Sequence, residues 1–161
     1  MTTKEYNDCV ELWTDDVYNF ALHCHSNMPD CQDAVQEAFA ALWKNLDNVR
    51  FEKGKAFLLS VTYRQLMMTL RARKIAERNL SAIPEPDTAY RPDENSELKD
   101  ALHKAMQLLP ETQKAMLKLR DIDGYSHRDI AEILDVSEKQ VQVYLFRARV
   151  AMRKQLKKED F

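Results

Sequence analysis

Residues 124–149 carry the pattern of two short helices joined by a tight turn, and this pattern restricts the fold more than any other feature. The first helix begins with a sequence resembling a capping box, Ser126 followed by Asp129. A second capping box, Ser137 with Gln140, opens a longer helix. Apolar residues recur at helical spacing after each start. The segment is therefore predicted to fold as a helix-turn-helix.

The second helix is predicted to bury one apolar stripe and to present its other side chains to DNA. The stripe consists of Val141, Leu145, Ala148, Met152 and Leu156. In helix-turn-helix proteins the first turns of this helix enter the major groove, where polar and cationic side chains contact base edges. The expected contacts are Ser137, Glu138, Lys139, Gln140, Gln142, Val143, Phe146, Arg147 and Arg149. A solvated cationic helix end is the alternative explanation.

The rest of the chain also has helical periodicity, with only two glycines and no alternating β-branched stretch. A first helix is predicted to bury Tyr6, Val10, Trp13, Val17, Ala21 and Cys24. A second, capped by Asp30, is predicted to bury Ala34, Val35, Ala38, Phe39, Leu42, Trp43 and Leu46. Residues 48–55 are predicted to form a loop, and a third helix is expected from Ala56 to Ala76.

Two further helices are predicted before the helix-turn-helix. The apolar positions of the fourth are Leu98, Ala101, Leu102, Ala105 and Leu109. Pro110 is expected to start the fifth, where its missing amide hydrogen is harmless, and Leu117, Leu119 and Ile122 help to bury it.

Residues 79–95 contain three prolines and few apolar side chains, which indicates a linker. The predicted fold class is therefore all-α, with two small helical domains, 1–78 and 96–161, joined by a flexible linker. Each domain is near the size at which a core alone gives marginal stability.

Charge is distributed unevenly between the two halves of the first domain. Residues 1–48 hold two cations and nine carboxylates, a net charge of −7, and residues 49–80 hold eight cations and two carboxylates, a net charge of +6. This asymmetry favours one surface for a basic partner and another for phosphates.

Several functional classes are disfavoured. No apolar run is long enough to insert into a membrane, and the first residues lack the apolar core of a signal peptide, so a cytoplasmic location is expected. The three cysteines fit reduced thiols. The cluster of His23, Cys24, His25 and Cys31 suggests zinc, but it lacks the paired spacing of common sites. No nucleophile or phosphate-loop motif indicates an enzyme, and no cofactor is expected.

The chain resembles the extracytoplasmic-function group of bacterial RNA polymerase sigma factors over nearly its whole length. The motifs that carry this resemblance in the second domain are Leu109-Pro110-Glu111, Leu119-Arg120, Gly124-Tyr125-Ser126, Ile130-Ala131, Val136-Ser137, Val141 and Arg147-Ala148-Arg149. Asp33-Ala34-Val35-Gln36-Glu37-Ala38-Phe39 carries it in the first.

This resemblance implies a sigma factor that binds core RNA polymerase through Asp33, Gln36 and Glu37. The second domain would recognise the −35 promoter element, and an anti-sigma factor is a further candidate partner. The first domain would recognise and melt the −10 element. The −10 contacts are expected from Arg50, Phe51, Lys53, Lys55, Arg64, Arg71, Arg73 and Lys74. Phe51 is the preferred base-stacking platform because residues 50–55 are predicted to be an exposed loop; Phe57 and Tyr63 are the other candidates.

The chain also departs from the family pattern. Gln140-Val141-Gln142 replaces the usual Thr-Val-Lys, and Asp135 replaces a common turn glycine. Arg64 and Met68 stand where Asn and Asp are frequent.

Two other functions fit the residues: a stand-alone helix-turn-helix regulator, which would bind duplex DNA tightly without polymerase, and a helical adaptor, which would show no salt-dependent DNA binding.

Overall fold

The computed structural model describes residues 1–80 and 97–158, without the side chains of residues 79, 80 and 158. The described residues form seven α-helices and one π-helical segment and contain no strand, which confirms the predicted all-α fold. The chain divides into two compact units, Met1–Ala89 and Tyr90–Phe161. Asn79 and Leu80 still belong to a helix, and the rest of the predicted linker lies outside the described residues. No described helix combines the length and apolar character needed to cross a membrane.

The first unit contains three helices that pack against one another: α1 (Thr3–Cys24), α2 (Met28–Lys44) and α3 (Phe51–Leu80). Each of the first two begins with a side-chain cap, Thr2 for α1 and Asn27 for α2. The largest fully buried side chains of this unit are Phe20, Leu42, Leu58, Leu59 and Leu66.

The predicted loop at residues 48–55 is wrong beyond Arg50, because α3 begins at Phe51 rather than Ala56. Gly54, which weakens a helix by propensity, is buried within its first turns. A Cβ atom at Gly54 would lie 3.1 Å from Trp13 Cζ3 and 3.2 Å from Cys9 Sγ. The missing side chain therefore lets α3 approach α1 closely, and this tertiary contact outweighs the local propensity.

Three predicted positions in the first unit differ in the structure. Asp30 does not cap α2; it is a buried residue of the first turn. Val10 is 38% exposed, and the neighbouring Cys9 is buried in its place. Trp43 is 51% exposed instead of lying inside. Val10 and Trp43 were misassigned because several registers of a helical stripe fit the same apolar residues. Asp30 was misassigned because the cap is Asn27, three residues earlier, which accepts a hydrogen bond from the Asp30 amide.

The second unit contains α4 (Glu97–Gln107), α5 (Glu111–Leu117), a π-helical segment (Lys118–Ile122), α6 (His127–Leu134) and α7 (Glu138–Lys158). Helix α7 packs against α4, α5 and α6 and forms the centre of the unit. Pro110 occupies the cap position before α5 rather than its first residue. Of the residues predicted to be buried, Leu98, Leu102 and Ile122 are exposed.

Two residues with positive φ shape the connections around α6. Gly124, at φ 79°, follows the π-helical segment and has the left-handed conformation in which glycine commonly ends a helix. Asp135, at φ 55° and ψ 54°, ends α6 in the left-handed conformation that aspartate tolerates better than most residues. Together they confirm the predicted helix-turn-helix connection.

Replacing Gly124 by Ala is expected to destabilise the second unit by about 1 kcal/mol, because an L side chain is disfavoured at this φ. No heavy atom lies within 4 Å of the added Cβ, so the cost is a backbone cost alone. Amide hydrogen exchange of α6 and α7 in the full chain measures the change. Gly124→Asn serves as the control and should lose less; equal losses would contradict the backbone explanation.

Candidate nucleic-acid interfaces

Helix α7 begins with the capping box predicted from the sequence. The Ser137 hydroxyl accepts a hydrogen bond from the Gln140 amide at 3.1 Å, and the Gln140 Oε1 atom accepts one from the Ser137 amide at 3.0 Å. Val141, Leu145 and Ala148 are buried on the inner face of the helix. The orientation of α7 is therefore set both by its first turn and by its buried stripe.

The face of α7 opposite this buried stripe is exposed and cationic. Helical spacing places Lys139, Gln140, Val143, Phe146 and Arg147 on it. Phe146 is 67% exposed, so a large aromatic side chain lies among the polar residues of this face. The Arg147 guanidinium lies 5.8 Å from the ring centroid of Tyr144, a cation–π contact. Ser137, Glu138 and Gln142 are exposed as well, at the start and the flank of this face.

Arg149 and Gln140 already have partners within the second unit. Arg149 Nη2 lies 2.7 Å from Asp121 Oδ1 in the π-helical segment, and this hydrogen bond raises the pKa of Arg149. Helical spacing places Arg149 to the side of the exposed face. The side-chain oxygen of Gln140 accepts the capping hydrogen bond. Both residues are thus oriented by contacts within the fold.

The π-helical segment is held by further polar contacts. The Asp123 amide donates to the Lys118 carbonyl at 3.0 Å, the i→i+5 bond of a π-helix. The buried Lys118 ammonium lies 3.0 Å from Asp123 Oδ1, and Arg120 donates to the Tyr125 carbonyl at 2.8 Å. These bonds position the start of α6, so Lys118 and Arg120 have structural roles that the sequence did not reveal.

The eight residues expected to contact the −10 element separate into an outer and an inner group. Arg50, which precedes α3, is exposed. Lys53, Arg64, Arg71 and Lys74 are exposed on α3. Phe51, Lys55 and Arg73 lie at helical positions that face the other two helices. The outer group forms one cationic surface, and Arg78, which the sequence prediction left out, is exposed near its end.

Phe51 is not the exposed base-stacking platform that the sequence suggested. Its ring stacks on Trp13, with centroids 5.2 Å apart and an interplanar angle of 27°. Lys55 forms an ion pair with Asp16 of α1, with Nζ 3.2 Å from Oδ2. Both residues attach the start of α3 to α1, because this segment is helical rather than a loop.

Arg73 joins a partly buried polar network that connects all three helices of the first unit. Its Nη2 atom lies 2.7 Å from Oδ1 of Asp30, and His25 Nε2 lies 2.8 Å from Oδ2 of the same carboxylate. Asp30 is only 9% exposed, so both of its oxygens are used in the interior. The network holds the distal half of α3 against the end of α1 and the start of α2.

The outward face of α2 carries the predicted polymerase-docking residues Asp33, Gln36 and Glu37, all exposed. Helical spacing places them opposite the buried stripe that includes Ala34 and Ala38. Trp43 lies at the edge of the same face and contacts the Tyr6 ring at 5.0 Å in an edge-to-face arrangement. Trp43 was predicted to lie in the core. It follows the exposed Gln36 by seven residues, about two helical turns, and this spacing indicated the outer face.

The cysteine and histidine cluster near residue 25 is used for packing. Cys9, Cys24 and Cys31 are free and buried. Cys31 Sγ donates to the His25 carbonyl at 3.0 Å, and burial together with the nearby Asp30 raises the pKa of Cys31 to about 12. Among the described residues, no group of three or more His, Cys, Asp or Glu side chains is arranged to hold a metal ion.

Comparison with known proteins finds two matching families. Residues 9–75 match Sigma-70 region 2, and residues 99–152 match Sigma-70, region 4. The chain is 27% identical to the ECF RNA polymerase sigma-E factor of Haemophilus influenzae, over 74% of this chain and 71% of that protein. It is 25% identical to the ECF RNA polymerase sigma factor SigW of Bacillus subtilis, over 94% and 89%.

A solved structure has a similar fold. It is the sigma factor RpoE in complex with the anti-sigma factor NepR from Bartonella quintana, with a TM-score of 0.82 and 22% identity. The match covers 96% of this chain and 98% of that one.

Replacing Asp30 by Asn is expected to destabilise the first unit by about 1.5–3 kcal/mol, because charge-assisted hydrogen bonds to Arg73 and His25 are weakened in a buried site. Both tryptophans, Trp13 and Trp43, lie in this unit, so urea unfolding followed by tryptophan fluorescence reports on it. Asp33→Asn, an exposed site on the same helix, should change stability by less than about 0.5 kcal/mol. Equal effects of the two substitutions would count against a structural role for Asp30.

Proposed function

We infer that this chain, which belongs to the extracytoplasmic-function group of the sigma-70 family, is a sigma factor that binds core RNA polymerase and directs promoter-specific transcription initiation. The observation that carries the inference is the pairing, in one chain, of a region 4 helix-turn-helix with a separate region 2 helical unit. A plain DNA-binding regulator would leave the second of these without a role.

In this proposal the exposed face of α7 recognises the −35 element. Lys139 and Arg147 are suited to guanine or phosphate contacts, and Gln142 to adenine. Val143 and Phe146 supply apolar surface, as for contact with thymine methyl groups. Ser137 and Gln140 preserve the start of the helix, and Arg149 orients it through Asp121. Arg149 belongs to the Arg147-Ala148-Arg149 motif that resembles the family. Its pairing with Asp121 gives this arginine a structural role.

The cationic outer surface of α3 is proposed to hold the −10 element. Arg50, Lys53, Arg64, Arg71 and Lys74 are exposed and carry the positive charge that phosphate contacts require. Arg73, Lys55 and Phe51 support the helix from its inner side instead of contacting DNA. The eight contacts expected from the sequence are thereby reduced to five direct ones.

Helix α2 is proposed to dock on core polymerase through Asp33, Gln36 and Glu37. A row of acidic and amide side chains fits a basic partner surface. Trp43, half exposed at the edge of the row, extends the polar contact with an aromatic anchor of the kind enriched at interface hot spots.

Because catalysis of RNA synthesis would belong to the polymerase, the chain itself is proposed to act without enzymatic activity, in the cytoplasm where the polymerase works. Binding of an inhibitory anti-sigma factor is also proposed, supported by the solved complex of the similar sigma factor RpoE with NepR.

Charge reversal at Asp33 and Glu37, to Lys in both cases, is expected to weaken capture of the chain by core polymerase roughly tenfold or more, since it places like charges against a basic surface. Pull-down with purified core enzyme measures retention. Glu11→Lys, an exposed reversal on α1, is the matched control. Full retention of the double variant rejects this docking surface, and failure of the wild-type chain to support run-off transcription rejects the function.

Arg147→Ala is expected to lower holoenzyme affinity for a promoter carrying the −35 element and to reduce the salt slope of binding by about one ion. Arg149→Ala should change the slope less, because its guanidinium is paired with Asp121. Promoter binding over a series of salt concentrations measures both slopes. A larger change for Arg149→Ala than for Arg147→Ala would contradict the assignment of the DNA-facing side of α7.

A further inference from the structure

The distal half of α3 carries a stripe in which cations alternate with apolar side chains. Its members are Arg64, Met68, Arg71, Ile75 and Arg78. They are separated by four, three, four and three residues, so at 100° per residue they lie within a sector of roughly 80°. All five are exposed, and Met68 and Ile75 are each 59% exposed.

This alternating stripe lies directly opposite the face that packs on α1 and α2. Leu66 and Arg73 mark the inner face, one buried and the other paired with Asp30. The acidic residues of α3, Glu52 and Glu77, fall outside the stripe. The stripe therefore combines positive charge with apolar surface and includes no carboxylate.

The dimensions of the stripe fit an extended polyanion with apolar rings. At 1.5 Å per residue, Arg64 and Arg78 lie about 21 Å apart along the helix axis, with Arg71 midway. Met68 and Ile75 each fall between two cations. Proteins that hold single strands combine a cationic track with surfaces that contact bases, and methionine or isoleucine wedges are used to unstack base steps.

The aromatic side chains of α3 do not supply that base-contacting surface. Phe51 stacks on Trp13, Tyr63 is buried, and Phe57 is half-buried. Among the described side chains of α3, the large apolar ones that are exposed are Met68 and Ile75.

We propose that Met68 and Ile75 are wedge residues that press against base steps at the edge of the opening promoter and unstack them, while Arg64, Arg71 and Arg78 hold the phosphates of that strand. The proposal rests on the sigma-factor function and assigns residues within it. A single nucleic-acid strand is favoured over an acidic protein helix as the occupant of the stripe. Cations and apolar side chains alternate along the whole stripe, whereas an amphipathic protein helix carries its charged and its apolar side chains on separate faces.

The double variant Met68→Gln, Ile75→Gln tests the proposal in run-off transcription by reconstituted holoenzyme. One template is the duplex promoter and the other is the same promoter with a mismatched, already open −10 region. The variant is expected to lose roughly tenfold in output on the duplex, because unstacking is less favourable. Output on the open template should stay near the wild-type level, since those base steps are already separated.

Leu12→Gln is the matched control, because Leu12 is also 59% exposed but lies on α1. It should leave output on both templates unchanged. Equal losses of the double variant on duplex and open templates overturn the wedge role, and unchanged output on the duplex overturns the proposed base contact. If the wild-type chain supports no transcription from either template, the sigma-factor function itself fails, which is a separate outcome.

Discussion

The outer surface of α3 depends on how its inner side is attached to α1 and α2. Gly54 permits the close approach to Trp13 and Cys9, and Phe51 stacks on the same tryptophan. Farther along, the Arg73–Asp30 ion pair fixes the distal half of the helix. Because these contacts lie on one side, the rotation of α3 about its axis is determined, and with it the set of cations that can reach a nucleic acid.

Helix α7 is oriented by the same principle with different chemistry. A buried stripe and a capping box set its rotation, and the Arg149–Asp121 pair connects it to the π-helical segment. Two positive-φ residues, Gly124 and Asp135, set the path of the chain into and out of α6. In both units a cation of the helix pairs with a carboxylate of another element, Arg73 with the buried Asp30 and Arg149 with the exposed Asp121.

Local signals explain which features were predictable from the sequence. The Ser137–Gln140 capping box and the stripe of Val141, Leu145 and Ala148 depend on residues a few positions apart, and the structure contains both. The start of α3 was not predictable in this way. Gly54 indicates a loop by propensity, and its helical conformation depends on a contact with Trp13, far away in sequence.

In the candidate sites too, local signals were predictable from the sequence and contacts between distant residues were not. Charge counting located the cationic segment, but it gave Arg71 and Arg73 the same role although two helical positions separate their directions by about 160°. Arg73 lies on the inner side, where it pairs with Asp30, and Arg71 lies on the exposed side. Trp43 was assigned to the core because apolar residues on α2 fit more than one stripe, although its spacing from Gln36 indicated the exposed face on which it lies.

The energetics of strand opening explain why such a chain needs a polymerase. Separating about six base pairs costs on the order of 8 kcal/mol at a mean stacking energy of ~1.4 kcal/mol per step. Stacking on an aromatic platform would return ~1–3 kcal/mol per base, but Phe51 is already stacked within the protein. Apolar wedges and phosphate contacts on one helix return only part of the cost. In the proposed function, docking through α2 brings in further contacts from the polymerase, so that the acidic face of α2 is as necessary for promoter opening as the cationic face of α3.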